Sequence, residues 1–332
     1  MFSRMLSASA ATLTALTFAL PLVAHSQTVG APVAPFKASK PMRIVAPSSA
    51  GGILDQTSRL VAKALTDIVL QPVIVDNHPG AGGAIGIQTM LRADPDGHTL
   101  VMGSLGPNAA NYTLQDKLPY AYEDLKPVIN VLAMPDVVVV NPKLPVNNVA
   151  ELKAYADRNP NGVSMAVSTS GSSGHLAGAM LNQRAGIKAV DVVYRGAAPA
   201  LTDLIGGQVD YMVDNLITAL PQIRAGKLRA IAVTTRERSA ELPNVPTLIE
   251  LGYKDFDVSV WLGLFVSSKT PPATVQALNA ALNQALADPQ LRKTIAQQGG
   301  TVVGGTEQEF TTFVRNEKSR WAEVIRAGNI KP

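Results

Sequence analysis

The sequence predicts an α/β protein of two domains, each a parallel sheet flanked by helices. Strand and helix patterns alternate along the chain, which is the signature of βαβ units. The strands run out into loops rich in Gly, Ser, Thr and Asn, residues that turn the backbone tightly and offer hydrogen bonds. Beyond an N-terminal leader, roughly 300 residues remain, enough for two substantial cores.

The first unit is the clearest. Ile44 to Ala46 is an apolar strand, Pro47 ends its ladder because it has no N–H, and Gly51-Gly52 let the backbone approach a ligand closely. A helix follows, with Leu54, Leu60, Val61, Ala64, Leu65 and Ile68 at spacings of three, four and seven that place them largely on one face. Its first amides lack intrahelical acceptors and carry the positive end of the dipole, so they suit a carboxylate or phosphate. Taken alone, the motif also fits an ordinary strand-to-helix turn, the commoner meaning of so short a signal.

The pattern then repeats. A strand over 73–76 leads through Asn77-His78-Pro79-Gly80-Ala81-Gly82-Gly83 into a helix over about 84–93, and a strand over 98–102 runs out at Ser104 to Asn108. Val137 to Val140 is a wholly apolar β-branched run between Asp136 and Asn141-Pro142, so it reads as a strand buried on both faces and a place to cross between domains. A helix over 149–156 and a strand over 163–167 open onto Ser168-Thr169-Ser170-Gly171-Ser172-Ser173-Gly174-His175, and another helix follows to Gly186. Next come a strand over 190–194, the loop Arg195 to Ala198, a helix over 199–205, a strand over 209–213 ending at Asp214-Asn215, and a strand over 228–233. Pro243 and Pro246 break the chain before a β-rich run over 256–266, read as the return crossing. Helices are expected over 272–287, 289–298 and 306–327, the last with Thr306 and Glu309 at capping-box spacing. The expected domains are residues 27–139 with 257–332, and residues 140–256.

Residues 1–26 read as a cleavable secretory signal, with Arg4, a mostly apolar stretch over 13–23, and small residues in Ala24-His25-Ser26 for cleavage near Ser26. That stretch is shorter than the ~20 residues of a bilayer span, and no second run approaches that length, so no direct membrane insertion of the mature chain is expected. Residues 27–40 form a loose segment leading into the first strand. An exported chain with no cysteine fits the periplasm and excludes disulfides, thiolate metal ligands and a Cys nucleophile. The net charge is +4, or +3 without Arg4, with no basic block, so nucleic acid is not an expected partner.

Catalytic and cofactor signatures fail one by one. G-x-S-x-G needs Gly where His175 stands. The dinucleotide fingerprint counted from Gly80 and Gly82 needs Gly where Ile85 stands, and no P-loop Lys occurs. The four histidines lack paired spacing, so neither a metal nor a cofactor is expected. A secreted serine hydrolase using Ser173 and His175 is the rival from another class, and it lacks an evident third group to orient the His. What remains is a set of polar loops at the carboxyl ends of strands, where open α/β sheets bind ligands. Arg195 either pairs with an acidic ligand or sits in a surface ion pair, and Asp214 either receives a ligand donor or caps a turn. The expected ligand-binding residues are Pro47, Ser48, Ser49, Gly52, Leu54, Ser104, Asn108, Ser168, Ser170, Gly171, Ser173, His175, Arg195, Gly196 and Asp214.

Several segments, in order, carry a resemblance: Asn77-His78-Pro79-Gly80-Ala81-Gly82-Gly83-Ala84-Ile85-Gly86, Pro95-Asp96-Gly97-His98-Thr99-Leu100, Tyr194-Arg195-Gly196-Ala197-Ala198-Pro199-Ala200, Gly207-Gln208-Val209-Asp210, Leu242-Pro243-Asn244-Val245-Pro246-Thr247 and Trp261-Leu262-Gly263-Leu264-Phe265. Together they resemble the solute-binding proteins of tripartite tricarboxylate transporters, the Bug family, over nearly all of the mature chain. The resemblance implies a type II-like periplasmic binding protein, with two α/β domains joined by two crossing strands and closing over a small organic carboxylate. It implies delivery to a small and a large integral membrane subunit, and no catalysis. It also implies that the loop after the first strand faces the loop before the helix at Ser170–His175, often with water between protein and carboxylate. The sequence departs from the family pattern at Ser48-Ser49-Ala50, where an aromatic residue and prolines are common; losing the aromatic widens or wets the pocket. A receptor that feeds a sensor kinase is the alternative within the same class.

Overall fold

The computed structural model describes residues 34–331, and the expected secretory signal lies outside the described residues. The first half contains β1 (Met42–Ala46), α1 (Ile53–Val69), β2 (Val73–Asn77), α2 (Ala84–Leu91), β3 (Thr99–Ser104), a π-helical turn (Gly106–Ala110) and α3 (Asn111–Leu114). A long strand, β4 (Leu125–Val140), leads into α4 (Val149–Arg158), β5 (Val163–Val167), α5 (Ser173–Ala185), β6 (Ala189–Val193), α6 (Ala197–Gly206), β7 (Tyr211–Asn215), α7 (Leu216–Arg224) and β8 (Arg229–Val233). The chain returns through β9 (Ser259–Ser267) and ends with α8 (Pro272–Leu286), α9 (Pro289–Gln297), β10 (Thr301–Gly304) and α10 (Glu307–Gly328).

The strands run β2-β1-β3-β9-β4-β7-β5-β6, with β8 and β10 also paired to β4. The expectation of purely parallel sheets is corrected here. β1 is parallel to β2 and β3, and β5 is parallel to β6 and β7, but β9 is antiparallel to β3 and β4, and β4 is antiparallel to β7. The reason is topological: a strand that leaves one half and a strand that returns to it must run in opposite directions when they pair.

β4 joins the two halves. Residues Leu125 to Pro135 pair with β9, and Asp136 to Val140 pair with β7. Only Lys126 and Ala133 along this strand are not fully buried. The apolar signal was legible only at Val137 to Val140 because Pro127, Asn130, Pro135 and Asp136 interrupt it earlier. Pro127 and Asn130 coincide with shifts of register against β9, and Pro135 stands where the partner strand changes, positions at which a residue without an N–H is tolerated. Thr234 ties the outgoing and returning chains together. Its hydroxyl accepts from Asp136 N at 3.0 Å and donates to Val258 O at 2.7 Å, and Val258 N donates back to Thr234 O at 2.9 Å.

Helices cover both faces. α2, α5, α10 and the turn at 106–110 pack on one face, while α1, α8 and α9 cover the other face of the first half and α6 and α7 that of the second. α10 begins with the expected capping box: Thr306 Oγ1 accepts from Glu309 N at 3.1 Å, and Glu309 Oε2 accepts from Thr306 N at 2.7 Å. It also carries Glu317, whose Oε2 accepts from both Trp261 Nε1 and Trp321 Nε1 at 3.1 Å. Both indoles are fully buried, so this one carboxylate satisfies two donors that water cannot reach. Glu317→Ala is expected to lower stability by about 1–3 kcal/mol for each orphaned donor, read as a lower urea midpoint, whereas Glu317→Gln keeps an acceptor and loses less.

Candidate functional site

Register places the loops. Ser104 at the end of β3 lies opposite Leu262, which lies opposite Leu132 of β4, and Asn215 at the end of β7 lies opposite Asp136. The carboxyl ends of β1, β2 and β3 therefore face those of β5, β6 and β7 across the level where β4 changes partners.

The first lip is the turn from β1 into α1. Ser48 N donates to Ala46 O at 2.8 Å, and Asn77 Nδ2 donates to Ser48 O at 3.1 Å. Gly51, not Gly52, needs a glycine's freedom: its φ is +82°, whereas Gly52 caps α1 in an extended conformation. Gly51 N donates to Asp55 Oδ2 at 2.8 Å, and Arg59 pairs with Asp55 Oδ1 at 2.9 Å. Burial pushes the Asp55 carboxyl up, but Arg59 and the Gly51 amide outweigh that and hold it below the usual range. The helix thus supplies an anion of its own to Gly51, and Gly52 N is taken by Ser49 O at 3.2 Å. The amides ahead of the first intrahelical bond, Gln56 N to Gly52 O, are those of Ile53, Leu54 and Asp55. Leu54, in the first turn of α1, packs half-buried against the core, and Ser49 is exposed.

The second lip precedes α5. Ser172 caps the helix by accepting from His175 N at 3.3 Å, and Ser168 O accepts from Gly196 N at 2.8 Å. Gly171 has φ +76°, and its N–H donates to His175 Nδ1 at 3.0 Å, while His175 Nε2 lies 3.2 Å from Asp191 Oδ2. The second lip meets the turn after β3 at glycines. A methyl group on Gly106 would lie 3.1 Å from Gly171 O, and one on Gly171 would lie 3.0 Å from Asn111 Oδ1. Asn108 is buried and its Oδ1 accepts from Ser104 N at 3.0 Å. Ser48 Oγ, Asn108 Nδ2 and Ser170 Oγ are buried without a protein hydrogen-bond partner. Pro47 packs against Gly83 and Gly86 below the first lip. Arg195 is exposed and forms no salt bridge among the described residues.

At the floor between the lips, Ser173 Oγ donates to Asp136 Oδ1 at 3.2 Å, with Asn215 Oδ1 at 3.4 Å. Asp136 is wholly buried, and burial followed by the neighbouring Asp214 pushes its carboxyl up to about 8 despite the Ser173 hydroxyl. Burial likewise pushes Asp214 up to about 6 against the opposing hydrogen bonds of Thr218 and the Asn215 amide. Gly106, Asn111 and Asp136 were missed in the sequence; the one signal was a lone carboxylate beside a run of four valines. Two cavities are present, one beside α5 and the edge strand β6 and one at the junction itself. One of about 670 Å³ is lined by Ser170, His175, Asp191, Asn182 and Ile330, and one of about 590 Å³ by Met134, Pro135, Arg238, Ser259, Lys293 and Gly300. Among the described residues no cluster of His, Asp and Glu is placed to hold a metal, and no helix is long and apolar enough to cross a membrane.

The description of the tripartite tricarboxylate transporter family receptor, TctC, matches residues 57–330. The chain belongs to this receptor family. It is 36% identical over 295 residues to Protein BugT of Bordetella pertussis, covering 88% of this chain and 90% of BugT. Among solved structures, Rpa4515 of R. palustris with adipate is 31% identical, with a TM-score of 0.83 over 89% of this chain and 99% of that one. MatC (Rpa3494) from Rhodopseudomonas palustris with bound malate is 32% identical, with a TM-score of 0.79 over 86% of this chain and 99% of that one. The fold is accordingly the two-domain, type II-like periplasmic binding fold, and the receptor is a solute-binding protein, not an enzyme. The geometry at α5 agrees: Ser173 turns to Asp136, whereas the His175 ring turns to Gly171 and Asp191, so the two do not form a nucleophile–base couple.

Both floor carboxyls bind a proton more tightly folded than unfolded. Their contribution to stability is therefore fully present below the ordinary value of 3.8 and is lost as pH rises through about 6 for Asp214 and about 8 for Asp136. Inside its window each group lowers stability by about 1.4 kcal/mol per pH unit. Asp136→Asn is expected to flatten the fall in melting temperature between pH 6 and pH 8; an unchanged slope would mean that Asp136 is already ionised there.

Proposed function

We propose that the receptor captures a small organic carboxylate between these lips by domain closure, in the periplasm, and delivers it to the small and large membrane subunits of a tripartite transporter. The observation that carries the reading is that the loops after β1, β3 and β5 each hold a buried polar group without a protein partner: Ser48 Oγ, Asn108 Nδ2 and Ser170 Oγ. An unsatisfied buried polar group costs about 1–3 kcal/mol, so one on each of these three loops argues for a ligand or its bridging waters as their partner. The helix-start amides of Ile53 to Asp55 add donors of the sign a carboxylate requires. Hydrogen bonds to an ionised group contribute about 1.5–3 kcal/mol each, and a few of them with some apolar burial reach the −8.2 kcal/mol of micromolar binding. Adipate in Rpa4515 and malate in MatC make aliphatic dicarboxylates the first candidates.

Pro47, Ser49, Ser104, Ser168, Gly171, Gly196 and Asp214 line or support the cleft in this reading, and Gly52 and Leu54 shape the helix start. Arg195, exposed and without a salt bridge among the described residues, is left to meet the second carboxylate of a ligand. The moving bodies are residues 27–139 with 257–332 and residues 140–256, pivoting where β4 changes partners and where Thr234 holds Val258. Export rests on the leader at residues 1–26.

Calorimetry and thermal shift of the mature protein against adipate, malate and a panel of aromatic acids test the reading, and silence across the whole panel counts against it. Gly106→Ala places a methyl 3.1 Å from Gly171 O. It is expected to weaken binding about tenfold or more by obstructing closure, with the ligand-free melting temperature little changed; equal affinity would remove closure at this point from the mechanism.

A further inference from the structure

Gly171 occupies a left-handed backbone conformation, φ +76°, and its N–H points to the ring of His175 at 3.0 Å. A backbone N–H only donates, so Nδ1 must be the ring nitrogen that keeps its lone pair. The proton of the neutral imidazole then sits on Nε2, facing Asp191 Oδ2 at 3.2 Å. Each nitrogen is matched to its neighbour, and the ring, with a side chain only 3% exposed, has no hydrogen-bonding capacity left for a ligand. The same residue's backbone N–H donates to the cap Ser172 Oγ. His175 therefore ties the two residues before α5 to the first turn of the helix through two separate bonds.

Gly171 is also where the second half touches the first, since its carbonyl oxygen faces Gly106. Its N–H and C=O belong to the peptide units on either side of one Cα, so fixing the N–H side limits where the C=O side can point. Asp191 holds the ring from β6, and its side chain is 38% exposed beside the cavity that His175 and Ser170 share.

We propose that His175, oriented by Asp191, is a positioning residue that sets the Gly171 turn for closure, and that it does not contact the ligand. The proposal rests on the carboxylate-receptor reading for its purpose, but its geometry is testable without any ligand. Long-range proton–nitrogen NMR of the mature protein at neutral pH is expected to show His175 with an unprotonated Nδ1 and a protonated Nε2; a proton on Nδ1 would overturn the proposal.

Hydrogen exchange over residues 168–175 supplies the second measurement. His175→Phe keeps the ring volume and removes both bonds, and Asp191→Leu removes only the orienting partner. Both are expected to speed exchange at Gly171 about tenfold or more, while 176–185 of α5 stays protected. His175→Gln, whose amide can accept from Gly171 and donate to Asp191, is expected to restore protection. Loss of protection along the whole of α5 in every variant would instead mark a merely structural role. With adipate as the probe, His175→Phe is expected to weaken binding about tenfold and His175→Gln to recover most of it. Failure of the wild-type protein to bind any acid would overturn the receptor's ligand class and leave the NMR and exchange outcomes to decide the positioning role.

Discussion

The pairing of β4 is the constraint on which the rest of the structure depends. Sixteen residues of backbone run through the interior, and each buried N–H and C=O along them needs a partner. No one strand supplies that whole length, so β9 and β10 serve the first part and β7 and β8 the last. The handover at Pro135 and Asp136 defines the junction of the halves, and every loop of the cleft is placed by its distance from it. Thr234 keeps the returning chain at the same level, so the outgoing and returning segments form one double link.

At this junction the protein tolerates groups that would be costly elsewhere. Two carboxyls are buried at the floor, and a polar group on each of the loops after β1, β3 and β5 has no protein partner. A chain selected for stability alone would replace them with apolar residues. Their place at the carboxyl ends of strands, where the two halves meet, is the physical mark of a site that is completed by something other than the chain itself.

The helix-start logic read at the first loop needs refinement in the same terms. Asp55 already accepts from the Gly51 amide, so part of the positive end of α1 is spent within the helix, leaving the amides of Ile53 to Asp55. At the second lip the backbone is held by side chains instead: the Gly171 N–H by His175, and His175 by Asp191. The two lips thus differ in kind, one offering backbone donors and the other a backbone shape.

Much of the fold was legible because local periodicity and turn chemistry point the same way. β5 falls on its expected residues, α10 starts at its expected capping box, and Ser48, Ser104 and Ser168 all lie at carboxyl ends of parallel strands, whereas Asp214, expected just past its strand, lies within β7. The first twelve residues of β4 were not legible, since their prolines and polar residues are tolerated only because of bulges and a change of partner strand. Nor were α7 and β10, which are short and take their stability from packing. By itself the sequence determined the order of most strands and helices, the glycine turns and the receptor family, because these depend on neighbours along the chain and on motifs in order. Only the tertiary structure decided that strands flanking β4 run antiparallel, that Asp136 sits under Ser173, that Gly106 meets Gly171, and that His175 faces Gly171 and Asp191 instead of Ser173. Each of those is a contact between residues distant in sequence or a side-chain direction set by packing, and nothing in local spacing encodes either.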